Sequence, residues 1–378
     1  MLIGIMLRTL DERGGIAVYS ANLVQSLLDA GSGHRFLMLY RSAAHLGRFG
    51  TRPDIAERVL PGRGKAWWDQ VTVPRACRAA GVDVILHPKF TVPLASSIPA
   101  VMVLHGADWF LPDAKRFYSL TDRLYMRTFM PLYLRRAAEI ISVSQLTTED
   151  FQRIFRLSPG RVRTVYFGPA RQFRPIDDAG LRDEVRRRYQ LPEQFILTLS
   201  KTGGGERKNF RGVLDAYARL HGRVPHKLVV GGKGCERFRT EYRIPDSGWG
   251  PDVLFPGWLD QSDLPAIYSA SSLFLYPSNQ EAFPIPITEA MACGTPIVTS
   301  KANGLEEIAG EAAILVDAAD PEATADAALR VLTDASTAGR LRSAGLERSR
   351  LFSWEACALK TLSVVEEAAR LAPARAVA

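Results

Sequence analysis

"SLFLYPSNQEAFPIPITEAMACGTPIVTS" occupies residues 272–300. It opens on one apolar run, 272–277, and closes on another, 295–300. Both runs are continuous rather than alternating, as in strands buried on both faces of a parallel sheet. Between them the pattern predicts a helix. Pro286 fits its first position, where no N–H is needed, and Gly294 fits the residue beyond its end. Glu289 then falls in the first turn, and Glu281 stands before the helix, next to the strand end. Strand, helix, strand is the repeating unit of a doubly wound α/β sheet.

The same pattern runs outward in both directions. Apolar runs occur at 2–6, 35–40, 83–87, 100–104, 139–143 and 162–166, then at 195–200, 227–232, 252–257, 272–277, 295–300 and 312–317. Helical periodicity lies between them: Ile16, Tyr19, Leu23 and Leu27 share a face, with Gly31 as the cap beyond. "LDAYARLHG" (214–222) and the amphipathic 353–371 behave alike. "FGPARQFRPIDDAG" (167–180) has no periodicity and reads as a linker. A chain of 378 residues suits two domains. The expected division is an N-terminal, acceptor-side Rossmann-like domain at 1–173, joined by the C-terminal helix 355–378, and a C-terminal Rossmann-like domain at 174–354. The final "APARAVA" reads as a frayed end.

Four scattered cysteines with no CxxC pair indicate neither a zinc site nor a disulfide framework. No run of about 18 apolar residues could span a membrane, and the N-terminus lacks a signal-peptide pattern. The expected compartment is the cytoplasm. Net charge is +8, from 48 Lys and Arg against 40 Asp and Glu. That excess suits an anionic ligand, a membrane surface or plain solvation. No nucleic-acid module or aromatic platform accompanies the basic residues, so no nucleic-acid partner is expected. "DRLYMRTFMPLYLRRAAE" (122–139) and "GRGKAWWDQ" (62–70) mix basic with large apolar residues. Peripheral attachment to the inner face of a membrane and ordinary domain packing both fit them.

Ligands of open α/β sheets bind beyond the carboxyl ends of strands, so candidate chemistry is sought there. Gly14 and Gly15 precede a helix whose free N–H groups can receive an anion, or they form a plain tight turn. His105 follows a strand, with Asp108 close behind. It can face a sugar hydroxyl or a reacting oxygen, or bond a carbonyl as a structural residue. His87 holds the same position after another strand. "LSKTGGGERKNF" supplies glycines 203–205 and then Arg207 and Lys208 at a helix start, an oxyanion or diphosphate clamp. "VVGGKG" (229–234) offers backbone that a nucleotide could approach, and Trp258 with Leu259 an apolar ledge for a base. Glu281 and Glu289 can accept bonds from hydroxyls at the two ends of a ligand whose diphosphate lies on the helix start near Ile287 and Thr288. Alternatively, the acids stabilise the helix start with no ligand at all.

Taken in order, these residues resemble the retaining glycosyltransferases of family 4, the group-1 glycosyltransferases. "EAFPIPITEAMACGTPIV" is similar to the family's E-x7-E motif, "GGIAVYSANL" to its Gly-Gly loop, "VLHGADWFLP" to its His-Asp segment, "ISVSQLTTEDF" to its Ser-rich strand end, "ERKN" to its Arg-Lys clamp and "FSW" to its C-terminal signature. The resemblance implies a GT-B fold: two doubly wound Rossmann-like domains whose parallel sheets face across a cleft. It implies transfer of a hexose, mannose or glucose-type, from GDP-mannose or a UDP-sugar to a hydroxyl of a glycan or lipid-linked acceptor. The anomeric configuration would be retained, and no cofactor or obligatory metal would be needed.

By the same resemblance, the catalytic residues are His105, Lys208 and Glu281. Glu281 and Phe283 would meet the donor sugar, and Glu289 the ribose. Lys208 would meet the diphosphate, Arg207 beside it would do the same or serve structurally, and Gly15 would admit the donor phosphate or the acceptor. Lys201, Ile287 and Thr288 are further donor-side candidates for the phosphates, and Trp258 and Leu259 for the base. Gly14, His87 and Asp108 lie on the acceptor side. Three departures stand out: Pro284 replaces the usual Gly and removes an N–H, Gly106 replaces the Asp after the His, and Lys201 is only the nearest match to the family's second cation. A GT-B protein that binds a nucleotide sugar without transferring it, or a related phosphorylase or epimerase, is the alternative.

Overall fold

The computed structural model describes residues 1–12, 14–62, 64–112, 114–201, 205–302 and 304–371. Gly203, Gly204 and the tail 372–378 lie outside the described residues. The chain divides into two units, Met1–Phe167 with Trp354–Ala378, and Gly168–Ser353. Each is α/β.

The first unit holds strands β1 (Leu2–Met6), β2 (Arg35–Tyr40), β3 (Ile55–Val59), β4 (Val84–His87), β5 (Ala100–Leu104), β6 (Glu139–Ser142) and β7 (Val162–Thr164). They form one parallel sheet in the order β3-β2-β1-β4-β5-β6-β7. β1 lies beside β4 with Ile3 opposite Val84 and Ile5 opposite Leu86, so the strand order reverses between them. Every residue of β4 and β5 is buried, which accounts for their unbroken apolar runs. β3 carries no such run. It is an edge strand, "IAERV", whose residues stay at least partly exposed, so the apolar signal is missing.

The second unit holds β8 (Phe195–Leu199), β9 (Lys227–Gly231), β10 (Val253–Gly257), β11 (Leu273–Tyr276), β12 (Ile297–Ser300) and β13 (Ile314–Val316). This sheet is also parallel, in the order β10-β9-β8-β11-β12-β13, and it reverses between β8 and β11. Its core joins Ile196, Phe210, Leu214, Tyr217, Leu228 and Leu275.

The final helix, Trp354–Arg370, packs within the first unit on the helix Gly15–Asp29. Trp354 stacks on Phe167 at 4.8 Å between ring centroids and lies 5.5 Å from Tyr19. His34 bonds Glu366 at 2.9 Å further along. Of the two tryptophans at 67 and 68, Trp68 is fully buried and donates through Nε1 to the Leu60 carbonyl at 2.8 Å, while Trp67 is exposed. Among the described residues no helix is long and apolar enough to cross a membrane.

Candidate active site

In the second unit, chemistry gathers where the strand order reverses. Arg207 and Lys208 follow β8, and Glu281 follows β11. Both cations lie in turns before the helix Phe210–Leu220 rather than opening it. Asn209, in a left-handed conformation, caps that helix by accepting from the Gly212 N–H at 3.3 Å. The two loops are stitched together: Ser278 Oγ and the Asn279 N–H donate to the Arg207 carbonyl at 2.8 and 2.9 Å. Asn279 also donates through Nδ2 to the Glu206 carbonyl at 2.7 Å.

Glu281 sits inside this frame, 7% exposed. Lys208 Nζ donates to its Oε1 and to the Tyr276 hydroxyl. Arg207 pairs with Oε2 at 3.1 Å and donates to the Gln280 carbonyl at 2.9 Å. The Tyr276 hydroxyl donates to Oε1 at 2.9 Å. Burial alone would push the Glu281 carboxyl up, but Lys208 and Arg207 outweigh it and hold it well below the usual range. Burial lowers the Lys208 ammonium, and Glu281 opposes that shift. Lys201 is exposed, and its charge also lowers Lys208.

Glu289 differs. The helix starts at Ile285, one residue before Pro286, so Glu289 lies beyond the first turn. It is 5% exposed, and its two bonds are long: Tyr268 hydroxyl at 3.2 Å and Gln261 Nε2 at 3.3 Å. Burial pushes its carboxyl up to about 8. A neutral acid past the first turn gives a helix dipole nothing to stabilise, so the helix-capping alternative fails for Glu289.

The helix start is also a poorer anion cradle than expected. Pro284 and Pro286 have no N–H. The N–H groups of Ile285, Ile287 and Thr288 already donate to carbonyls of Phe283 and Pro284 at 3.1, 3.0 and 3.4 Å. Ile287 and Thr288 are fully buried. Phe283 is nearly buried and meets Phe352 edge-on at 6.0 Å. Trp258 is 61% exposed, whereas Leu259 is buried against Gly231. Gly232, at φ 135°, packs so tightly on the Ser200 carbonyl that a Cβ would collide with it. Its glycine serves the junction of β8 and β9 rather than a ligand.

In the first unit, Gly14, at φ 134°, precedes the helix Gly15–Asp29, and both glycines are exposed. His105 follows β5 and is partly exposed. Its Nε2 bonds the Pro88 carbonyl at 3.0 Å, the structural role, which places the proton there and leaves the lone pair on Nδ1. Burial lowers its pKa to about 4, so the ring is neutral. Asp108 is partly exposed and accepts from the Tyr118 hydroxyl at 3.1 Å. His87 is corrected by the structure: it does not open at the strand end but is fully buried, with neither ring nitrogen hydrogen-bonded. Burial lowers its pKa to about 4, with the charges of Asp69 and Arg8 bearing on it. A side chain on a central strand, between β1 and β5, has protein on every side.

Sequence reasoning missed Tyr276, Ser278, Tyr268, Gln261 and Gly304. Tyr276 had a signal, a polar tip ending an apolar strand five residues before Glu281. Gly304 donates its N–H to the Glu281 carbonyl at 2.9 Å, and a Cβ there would collide with the Ala282 carbonyl. Among the described residues no three His, Cys, Asp or Glu side chains converge as a metal site would need.

The family model for "Glycosyl transferases group 1" matches residues 182–348, and that for "Glycosyltransferase Family 4" matches 13–168. The chain is similar to the O-antigen chain mannosyltransferase B of Escherichia coli, 30% identical over 69% of this chain and 73% of that protein. It is similar to a D-inositol 3-phosphate glycosyltransferase of Nocardioides sp., 31% identical over 61% of this chain and 53% of that protein. The chain thus spans about half the length of this second relative. Among solved structures, Anabaena HepE in complex with UDP and glucose superposes with a TM-score of 0.76 over 97% of this chain and 99% of that one, at 18% identity. That likeness shows the fold. Two reversing parallel sheets on a GT-B fold, both family models in chain order and the mannosyltransferase relative lead to one conclusion: the chain belongs to the group 1 glycosyltransferases of family 4.

Proposed function

We propose that the chain transfers a hexose, with mannose favoured, from a nucleotide-diphosphate sugar to a hydroxyl of a glycan or lipid-linked acceptor, retaining the anomeric configuration. The observation that carries this reading is the Arg207–Lys208–Glu281 cluster at the strand reversal of the second unit. Two cations held by one ionised carboxylate are ready to change partner. When a diphosphate arrives, Arg207 and Lys208 turn part of their charge to it, and Glu281 becomes free to accept from sugar hydroxyls. Glu289, eight residues on, accepts from the ribose. His105 faces the donor sugar with Nδ1 as an acceptor, because Nε2 is spent on Pro88.

Departure of the diphosphate is stabilised by the cations, without a metal. The acceptor hydroxyl attacks from the face that the diphosphate leaves, and the leaving phosphate oxygen takes its proton. The mannosyltransferase relative supports mannose as the sugar carried by the donor, and the UDP-bound fold neighbour keeps UDP-sugars in view. Leu120 and Leu124, 72% and 64% exposed, lie on the helix Leu120–Arg136 with exposed Arg127 and Arg135, a composition that supports attachment to an anionic membrane surface.

The test is a screen of the pure protein against GDP-mannose, UDP-glucose and ADP-glucose, reading released nucleotide and the anomeric proton of the product. The absence of both hydrolysis and transfer with every donor would refute transferase activity. A trapped covalent sugar–enzyme adduct would refute the same-face mechanism.

A further inference from the structure

A cavity of about 330 Å³ opens in the first unit, lined by Arg8, Asp11, Glu12, Arg41, Lys65 and Lys89. Arg8, Asp11 and Glu12 follow β1, Arg41 follows β2, Lys65 starts the short helix after β3, and Lys89 follows β4. Every lining residue therefore comes from a segment leaving the carboxyl end of a strand, and the cavity straddles β1 and β4, where the strand order reverses. That is where an open parallel sheet binds its ligand.

The acids of the cavity are already engaged. Glu12 accepts from Arg8 at 2.9 Å and from Lys89, and Asp11 bonds His45 at 2.9 Å. Arg8, 5% exposed, forks onto Asp69 at 2.7 and 2.5 Å, and Thr91 donates to the same carboxylate at 3.1 Å. The two bonds to Asp69 and the one to Glu12 use three of the five guanidinium donors and lock the plane, leaving two donors on a rigid group that lines the cavity. Arg41 and Lys65 make no hydrogen bond or ion pair among the described residues, unlike the other lining cations. Burial lowers the Lys89 ammonium, and the charges of Arg8 and Lys65 lower it further, while Glu12 opposes the shift. The lining thus carries four cations against two committed carboxylates, and an incoming anion relieves the repulsion among them.

We propose that this cavity binds a phosphate group on the acceptor saccharide. A phosphate monoester carries about −1.5 to −2 charges at pH 7, which matches Arg41 and Lys65, the two lining cations that no carboxylate engages among the described residues. Its oxygens point in several directions and can meet donors arriving from four separate loops. The volume lies at the low end of small-molecule sites, with room for the phosphate and about one sugar ring. The word "acceptor" rests on the transferase reading; the binding of a phosphorylated sugar does not. A soluble sugar phosphate and a lipid-diphosphate-linked sugar share this chemistry.

Titration calorimetry on the full chain in phosphate-free, low-salt buffer tests it, with mannose 6-phosphate, neutral mannose and a short-prenyl diphosphate-linked mannose as probes. GDP is kept saturating so that the second unit's cations are occupied. A phosphorylated probe is expected to bind at least tenfold more tightly than mannose. Arg41→Gln and Lys65→Gln are each expected to weaken it about tenfold, as one lost charge pair of about 1.4 kcal/mol implies. Arg41→Glu is expected to abolish it, with the Tm of each variant confirming that it folds. Preference for the soluble or the lipid-linked probe identifies the source, and either result supports the site. Binding of phosphorylated probes no tighter than mannose, or undiminished by these substitutions, overturns it. Transfer to a neutral acceptor alongside such a result leaves the transferase reading standing. Probe binding lost on Arg41→Glu, in a protein that neither hydrolyses nor transfers from any donor, leaves the site standing without that reading.

Discussion

Replacing Glu289 by Gln is expected to stabilise the second unit in alkaline solution and to change little in acid. Glu289 is 5% exposed and held by two bonds of 3.2 and 3.3 Å, too long to offset its burial. Its carboxyl is pushed up to about 8 from an ordinary 4.5. Between those values the folded protein keeps a proton that the unfolded chain has released. The stability tied to that proton is therefore complete below about pH 4.5 and is lost as the pH rises toward 8. At about 1.4 kcal/mol per pH unit, the whole displacement is worth roughly 5 kcal/mol, and relaxation around the ionised group lowers the observable part to about 2. Glutamine never ionises, so it escapes this loss. In a domain of this size about 2 kcal/mol raises Tm by roughly 5 °C. Melting of parent and variant, followed by calorimetry at pH 5 and pH 9, reads the effect as a difference. A Tm difference that is the same at both pH values, or a variant less stable at pH 9, would refute the reasoning. Donor binding extends the test. If the ribose bonds the ionised carboxylate, donor affinity in the parent rises from pH 6 to pH 8, and in the variant it stays flat.

Lys208→Met leaves Glu281 buried with Arg207 as its remaining cation, so it is expected to cost about 3 kcal/mol in urea unfolding and to lower kcat more than about 100-fold. Unchanged turnover would remove Lys208 from the reaction. Gly304→Ala drives a methyl into the Ala282 carbonyl and shifts the Glu281 loop; a loss of about 1–3 kcal/mol is expected by denaturation, together with weaker nucleotide binding by calorimetry. Pro284→Gly restores one amide N–H at the helix start. It is expected to tighten donor binding about fivefold, the worth of roughly one hydrogen bond, and equal affinity would show that no donor atom lies there. Leu120→Ser with Leu124→Ser is expected to release the protein from anionic vesicles in co-sedimentation while its Tm holds, because both side chains are exposed.

Sequence reading located strands that carry an unbroken apolar run, the central β4 and β5 and the edge strands β10 and β13 alike, because such a run needs no partner to be recognised. β3 escaped because Glu57 and Arg58 interrupt its apolar run. Gly294, at φ 69°, ends the helix Ile285–Ala292 as its position in the sequence implies. Its start was misplaced by one residue, since Pro286 suits either of the first two positions. Arg207, Lys208 and Glu281 could be singled out from their places after strands, but Tyr276 and Ser278 completed the cluster only in three dimensions.

The amino-acid sequence by itself determined the doubly wound class, the two-unit organisation and the segments where chemistry gathers, because periodicity, glycine and proline act within a few residues. Tertiary structure alone decided which charges are spent and which are available. Glu281 is ionised because two cations reach it, and Glu289, eight residues away, is neutral because none does. His105 commits one nitrogen to Pro88, and His87 disappears into the first sheet. Arg8, Arg41, Lys65 and Lys89 are unremarkable in the chain and become a site only where the sheet reverses. The electrostatic energy of each group depends on burial and on neighbours brought from distant segments, and neither is a local property of the sequence.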